Sequence, residues 1–186
     1  MQFGPPMDKR KVIGLVEGTG WNEMLELNRM AFTDVLPRNS ESRALGVAFR
    51  LIRKHYPHIK WVLSFSDATQ CGDGTIYRAS GFVLTQIKKN TFLIEMPDGL
   101  IVPTLNVTNG HNYKRQLCEK YGVPFYSGAG VGPFLKAGAK KLPGFQLRYI
   151  RLLDSSCTLT CPILPFSEIE AQGATMYKGK TPAREA

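Results

Sequence analysis

The chain has 186 residues, 43% hydrophobic and 21% charged, a balance ordinary for a globular protein and suited to one domain with a buried core, ending in a basic tail that begins at Met176. Its formal net charge of +9 favours a polyanionic partner, although a merely basic soluble protein carries the same surplus. No apolar run approaches the roughly 18 residues of a membrane span, and Met1 to Lys11 lacks an apolar signal core, so neither membrane insertion nor secretion is expected.

Met1 to Pro6 reads as a loose lead-in and Lys11 to Glu17 (KVIGLVE) as the first strand. Trp21 to Phe32 places Trp21, Met24, Leu25, Leu27 and Met30 at roughly helical spacing, which predicts an amphipathic helix. Asn39 or Ser40 is expected to cap the clearest helix, Glu41 to His55. Its apolar stripe is Ala44, Leu45, Ala48, Leu51 and Ile52, and its other face carries Arg43, Arg50, Arg53 and Lys54. Pro57 stops it.

Lys60 to Gln86 organises the rest. Trp61 to Phe65 is short, apolar and β-prone, and predicts a buried strand. Ser66 to Gly74 is a turn-rich loop holding Asp67 and Asp73. Thr75 can cap a short helix through Ser80, Gly81 ends it as a left-handed residue, and Phe82 to Thr85 reads as the next strand. Asp67 and Tyr77 thus stand at the two ends of a glycine-bearing loop and can face one cleft. The plain alternative is a turn-forming aspartate and a packing tyrosine.

Lys88-Lys89-Asn90 reads as a turn. Thr91 to Met96 and Leu100 to Leu105 flank Pro97-Asp98-Gly99 as a hairpin. Asn106 to Asn112 reads as a loop containing His111, and Tyr113 to Tyr121 as a short basic helix. Phe125 to Gly144 is rich in glycine and lysine. Gly128, Gly130 and Gly132 lack the lysine-serine or lysine-threonine pair of a nucleotide P-loop. A basic loop whose Lys136, Lys140 and Lys141 contact a DNA backbone is the better expectation. Phe145 to Leu153 alternates as a late strand, with Gln146, Arg148 and Ile150 on one face and Leu147, Tyr149 and Arg151 on the other. Cys71, Cys118, Cys157 and Cys161 are scattered, which fits a reduced, cytosolic setting. Cys157 and Cys161 have no second pair to complete a zinc site, so no metal ligands are assigned.

Tyr77-Arg-Ala-Ser-Gly81-Phe82 resembles the tyrosine-x-x-x-glycine-phenylalanine signature of GCN5-related N-acetyltransferases. The wider string SFSDATQCGDGTIYRASGF resembles the Mom family of Mu-like phages, a divergent acyltransferase-like family. Asp67 and Tyr77 fall on that family's aspartate and tyrosine, and Cys71-Gly72 stands where many relatives carry glycine-histidine. Pro37 to Gly46 (PRNSESRALG), RYIRLLD and PILPFSEIEAQGATMYKGK also match, so the resemblance covers roughly Asn22 to Lys180. It implies an α/β acetyltransferase-like mixed sheet flanked by helices. It implies modification of the exocyclic amine of adenine in double-stranded DNA by a carbamoylmethyl-type group, protecting phage DNA from restriction in the host cytoplasm.

The resemblance makes Asp67 the catalytic base and Tyr77 the acid or orienting hydroxyl. Arg43-Ala-Leu-Gly46-Val-Ala48 resembles the acetyltransferase pyrophosphate loop, which implies acetyl-coenzyme A as donor, with a glycine-derived group as the other donor; the alternative is that Gly46 only permits close helix–sheet packing. Trp21, Asn28 and Arg29 are candidates to border the base pocket, alongside Asn22. A metal requirement and the oligomeric state, a homodimer included, stay open. Two other classes compete: an acetyltransferase acting on a small amine or a protein, and a non-catalytic DNA-binding module.

Overall fold

The computed structural model describes residues 1–33, 35–69, 73–109, 111–126 and 130–175. Five strands form the main sheet: β1 (Gln2–Gly4), β2 (Met24–Arg29), β3 (Trp61–Asp67), β4 (Val83–Asn90) and β8 (Gly144–Leu152), in the order β1-β2-β3-β8-β4. Among the described neighbours in this sheet, only β2 and β3 pair in parallel. A parallel pair needs a crossover connection, and this one contains α2 (Ser40–His55).

α2 buries Leu45, Phe49 and Ile52 against one face of the sheet, while Leu51 is exposed. The predicted stripe is therefore rotated: Phe49 takes the inward position given to Leu51. Asn39 precedes the helix in the left-handed region (φ 69°) and makes no side-chain capping bond. Leu27, Val62, Leu84, Leu147 and Tyr149 complete this core. On the other face Met24, Trp61, Leu63 and Ile150 are covered by Val12, Val16, Cys157 and Cys161 from the two ends of the chain.

Several predicted elements change type, and the Met1 to Pro6 lead-in contains β1, paired with β2. Lys11 to Glu17 is not a strand: α1 (Lys9–Val12) and a 3-10 turn (Ile13–Leu15) occupy it, leaving one bridge from Val16 to Leu159. Trp21 to Phe32 is not a helix but contains β2. Met24 enters one core and Leu27 the other, so a strand buried on both faces mimics helical spacing. Lys88 to Asn90, expected to turn, stays in β4 and pairs with Gln146, Phe145 and Gly144.

Between β4 and β8 the chain builds a smaller lobe. β5 (Leu93–Glu95) pairs with β6 (Ile101–Pro103) through the expected Pro97-Asp98-Gly99 turn, and with β7 (Lys140–Lys141) on its other side. α4 (Thr104–Thr108), α5 (His111–Tyr121) and α6 (Gly132–Lys136) surround a core of Ile94, Val102, Val107, Leu117 and Phe134. Leu105, read as the end of a strand, and Asn106 to Thr108, His111 and Asn112, read as loop, are thus helical. α7 (Ser167–Ala171) follows β8. Among the described residues no helix is long and apolar enough to cross a membrane.

Candidate active site

The site begins where the parallel pair comes apart. Pairing runs from Met24/Trp61 to Glu26/Leu63, yet β2 continues to Arg29 and β3 to Asp67. Beyond the last pair the Ser64 hydroxyl donates to the Leu27 carbonyl at 3.5 Å, spanning the opening gap. A cleft of about 510 Å³ lies at these carboxyl ends, the place where open α/β sheets hold ligands. Asn28 and Arg29 line it from β2, Ser66 and Asp67 from β3, and Asp73 to Tyr77 from α3 (Thr75–Ala79) and the turn before it.

Asp67 ends β3 opposite Gln146 of β8. Its Oδ1 accepts the Thr69 N–H at 2.9 Å, so it does form a turn, and it also lines the cleft. Turn formation and placement at the cleft are compatible in this residue. The predicted Thr75 cap is replaced: Asp73 Oδ1 accepts the Thr75 N–H at 3.0 Å and its hydroxyl at 2.6 Å, while Gly74 enters α3 with φ +71°.

The tyrosine-x-x-x-glycine-phenylalanine string has a structural cause. Phe82 N–H donates to Tyr77 O at 3.0 Å and Gly81 N–H to Arg78 O at 3.1 Å, with Gly81 at φ +73°. These two bonds form a Schellman cap, and its usual apolar contact is the edge-on packing of Tyr77 against Phe82 at 5.4 Å. Tyr77 also stacks on Tyr149, centroids 5.0 Å apart. The row extends through Tyr149 to Phe166 and through Phe82 to Phe49. Each such pair contributes about 0.5–1.5 kcal/mol beyond its buried area, so the ring that lines the cleft is held on two sides.

Tyr149 was legible only as a strand residue. Its hydroxyl donates to the Asp73 carbonyl at 2.5 Å, 76 residues away in sequence. Burial, with Asp73 and Tyr77 beside it, raises its phenol far above the ordinary range, so it remains a donor. A Cβ on Gly74 would sit 2.6 Å from that hydroxyl. Tyr149 therefore fixes the turn that presents Tyr77. Asp73 carried a local signal in Asp-Gly-Thr; the partnership with Tyr149 is long-range and carried none.

The other expected residues lie elsewhere. Trp21 stands before β2, at the end away from the cleft, half exposed under the Lys9 ammonium at 5.3 Å. Arg43 to Ala48 lies inside α2, where the Arg43 N–H already donates to Asn39 O at 3.1 Å. A Cβ on Gly46 would meet only Arg50 Nη1, at 4.0 Å. This segment offers neither free amides nor a close backbone approach, and does not fit a pyrophosphate cradle. Lys136, Lys140 and Lys141 are exposed on the lobe. Gly128, Cys71 and the tail from Met176 fall outside the described residues. Among those described, no three His, Cys, Asp or Glu side chains gather as a metal site.

A mixed sheet whose parallel pair opens onto a carboxylate, a tyrosine and an arginine defines an α/β protein with a candidate site at the carboxyl ends of its strands. The chain belongs to the Mom protein family, whose model matches residues 1–168. It is 42% identical over 88 residues to the methylcarbamoylase mom of Escherichia phage Mu. That match covers 47% of this chain and 35% of the phage protein's length.

Proposed function

We propose that this protein is a DNA-modifying transferase that attaches a carbamoylmethyl-type group to the exocyclic N6 amine of adenine, acting for a phage in the cytoplasm of its host. The observation that carries the reading is the convergence of Asp67, Tyr77, Asn28 and Arg29 at the open end of β2 and β3. The methylcarbamoylase name of the phage Mu relative supports the group transferred. The separation of the parallel strands favours an acetyltransferase-like fold.

The N6 amine of adenine is a weak nucleophile because its lone pair is delocalised into the ring. In a duplex it is also out of reach, so the base must leave the stack and enter the cleft. Asp67 then accepts the amine proton as the new N–C bond forms. Tyr77 orients the acceptor or returns a proton to the leaving group. Arg29 offers paired N–H donors to a phosphate of the extruded nucleotide, and Asn28 suits the hydrogen-bonding edge of the base. The proposed donor is a glycine-derived group whose leaving group departs from the methylene carbon as the amine attacks. Acetyl-coenzyme A would deliver only an acetyl group and belongs to the competing acetyltransferase reading, and no step is assigned through the Arg43 to Ala48 segment.

The test is mass spectrometry of nucleosides from DNA of cells expressing the protein. Asp67→Asn keeps the shape and removes the base, so modified adenine should drop roughly 100-fold or more. Tyr77→Phe, which keeps the ring packing, should also lose activity with the fold intact. Normal modification by a folded Asp67→Asn protein removes the catalytic assignment. Acetyl transfer to a free amine without DNA would instead favour a small-molecule or protein acetyltransferase.

A further inference from the structure

The lobe exposes aromatic surface that its own core does not use. Phe125 and Tyr126, just after α5, are 36% and 60% exposed. Two hollows flank them. One, of about 500 Å³, lies between Pro124, Tyr126, Pro133 and Lys136. The other, of about 470 Å³, is bounded by Arg115, Glu119, Pro124 and Phe125.

This ridge is held by cations. Lys114 is only 3% exposed, and its ammonium donates to the Tyr126 carbonyl at 3.0 Å. The same nitrogen lies 5.7 Å from the centre of the Phe125 ring, and the Arg115 guanidinium 5.4 Å from it. Burying an ammonium is expensive unless it is satisfied, so the contact gives Tyr126 a fixed backbone position. The result is an outward aromatic ring beside a lysine, above a cavity the size of a small-ligand site.

The position of the lobe matters as much as its surface. It leaves the main sheet after Asn90 and rejoins at Gly144, residues that pair with each other. Two residues further on, Gln146 pairs with Asp67. Both necks therefore emerge at the end of the sheet that carries the cleft.

We propose that Tyr126 is a stacking platform for an unpaired nucleotide of the bound DNA, with Lys136 and Arg115 taking its flanking phosphates. This rests on the DNA-modifying reading, because extruding a base leaves unpaired nucleotides next to the cleft. Flat rings beside a cationic groove match the chemistry of single strands: π faces for stacking and a phosphate on every residue. Among the described residues, the lining of the Tyr126 hollow contains no acid; Glu119 belongs to the neighbouring one.

The experiment is fluorescence anisotropy of the full chain with a labelled 12-nucleotide oligothymidylate and with a 12-base-pair duplex, compared at matched salt along a salt series. Tyr126→Ala should weaken single-strand binding about 10-fold, within the range for losing one stacked base, with much less change for the duplex. Tyr126→Phe should bind as wild type, because the ring does the stacking and its folding control is built in. Lys136→Gln should lower the slope of affinity against salt by about one. Equal single-strand affinity of Tyr126→Ala and wild type overturns the proposal, as does an equal loss on both DNAs or no single-strand binding by wild type. These readouts involve no chemistry. Absence of modified adenine in cells overturns the enzymatic reading instead.

Discussion

The main sheet and the inserted lobe are built to different depths. In the sheet, Trp61, Val62, Leu63, Leu84, Leu147, Tyr149 and Ile150 have no measurable exposure, and β8 is paired along both edges. In the lobe the strands are three, three and two residues long. There the hairpin turn is tied to α5 by surface groups: Asp98 meets Lys120 at 2.7 Å and accepts the Tyr121 hydroxyl at 2.8 Å. The difference matches the proposed labour. Groups proposed to hold a reacting atom sit at the ends of deeply rooted strands, while the surface proposed to meet a long, variable polymer sits on a unit of short strands tied by surface groups.

The largest expected effect comes from breaking the joint between the two. Gly144 starts β8, and a Cβ there would collide with the Thr69 hydroxyl and lie 2.9 Å from Asn90 Oδ1. Thr69 is two residues from Asp67 and bonded to it. Gly144→Ala should therefore destabilise the protein by about 1–3 kcal/mol, as overpacking does, and lower adenine modification as well. Thermal denaturation and nucleoside mass spectrometry check both. Unchanged stability would mean that neck and site are not coupled through Thr69.

The sheet was more legible than the lobe, and local signals explain why. β3, β8, α2 and the Tyr77–Phe82 cap are each written in contiguous residues by alternation, a 3.6-residue period or a left-handed glycine. The hairpin was legible for the same reason. β2 was not, because apolar residues on both faces erase the alternation. KVIGLVE has strand composition, yet it lies over Trp61 and Leu63 as a cover, a decision made by tertiary packing. At the site, Asp67 and Tyr77 were legible from the loop between them. Asn28 and Arg29 were reached through an incorrect helix, and the role of Tyr149 depends on a contact no local pattern records.

Acid should separate the two regions with a smaller effect. Asp98 is held down to about 2, first by its bond to Lys120, then by Tyr121 and the Leu100 N–H. A carboxyl depressed in the fold stabilises above its unfolded value, 3.8, and that contribution is lost as pH falls through about 2. Hydrogen-exchange protection in the hairpin and α5 should thus decline between about pH 4 and 2. Asp98→Asn should show the lower protection at every pH and lack this step. A lobe whose protection falls identically in wild type and Asp98→Asn would place the acid-sensitive contact elsewhere.

The smallest effect is a gain, and it asks whether α2 belongs to the scaffold or to the site. Gly46 lies in the middle of a 16-residue helix, where glycine costs about 0.5–1 kcal/mol relative to alanine. Its missing Cβ would touch only the tip of Arg50, a flexible side chain that can move away. Gly46→Ala should therefore raise the melting temperature by about 1–4 °C and leave adenine modification unchanged. If Arg43 to Ala48 held a donor pyrophosphate, the glycine would be needed for close approach of the phosphate to the backbone. The variant would then be more stable yet less active, and the stabilisation of wild type by acetyl-coenzyme A would shrink in it. A rise in melting temperature with full activity puts Gly46 in the scaffold and moves the search for the donor site to the cleft between β2 and β3.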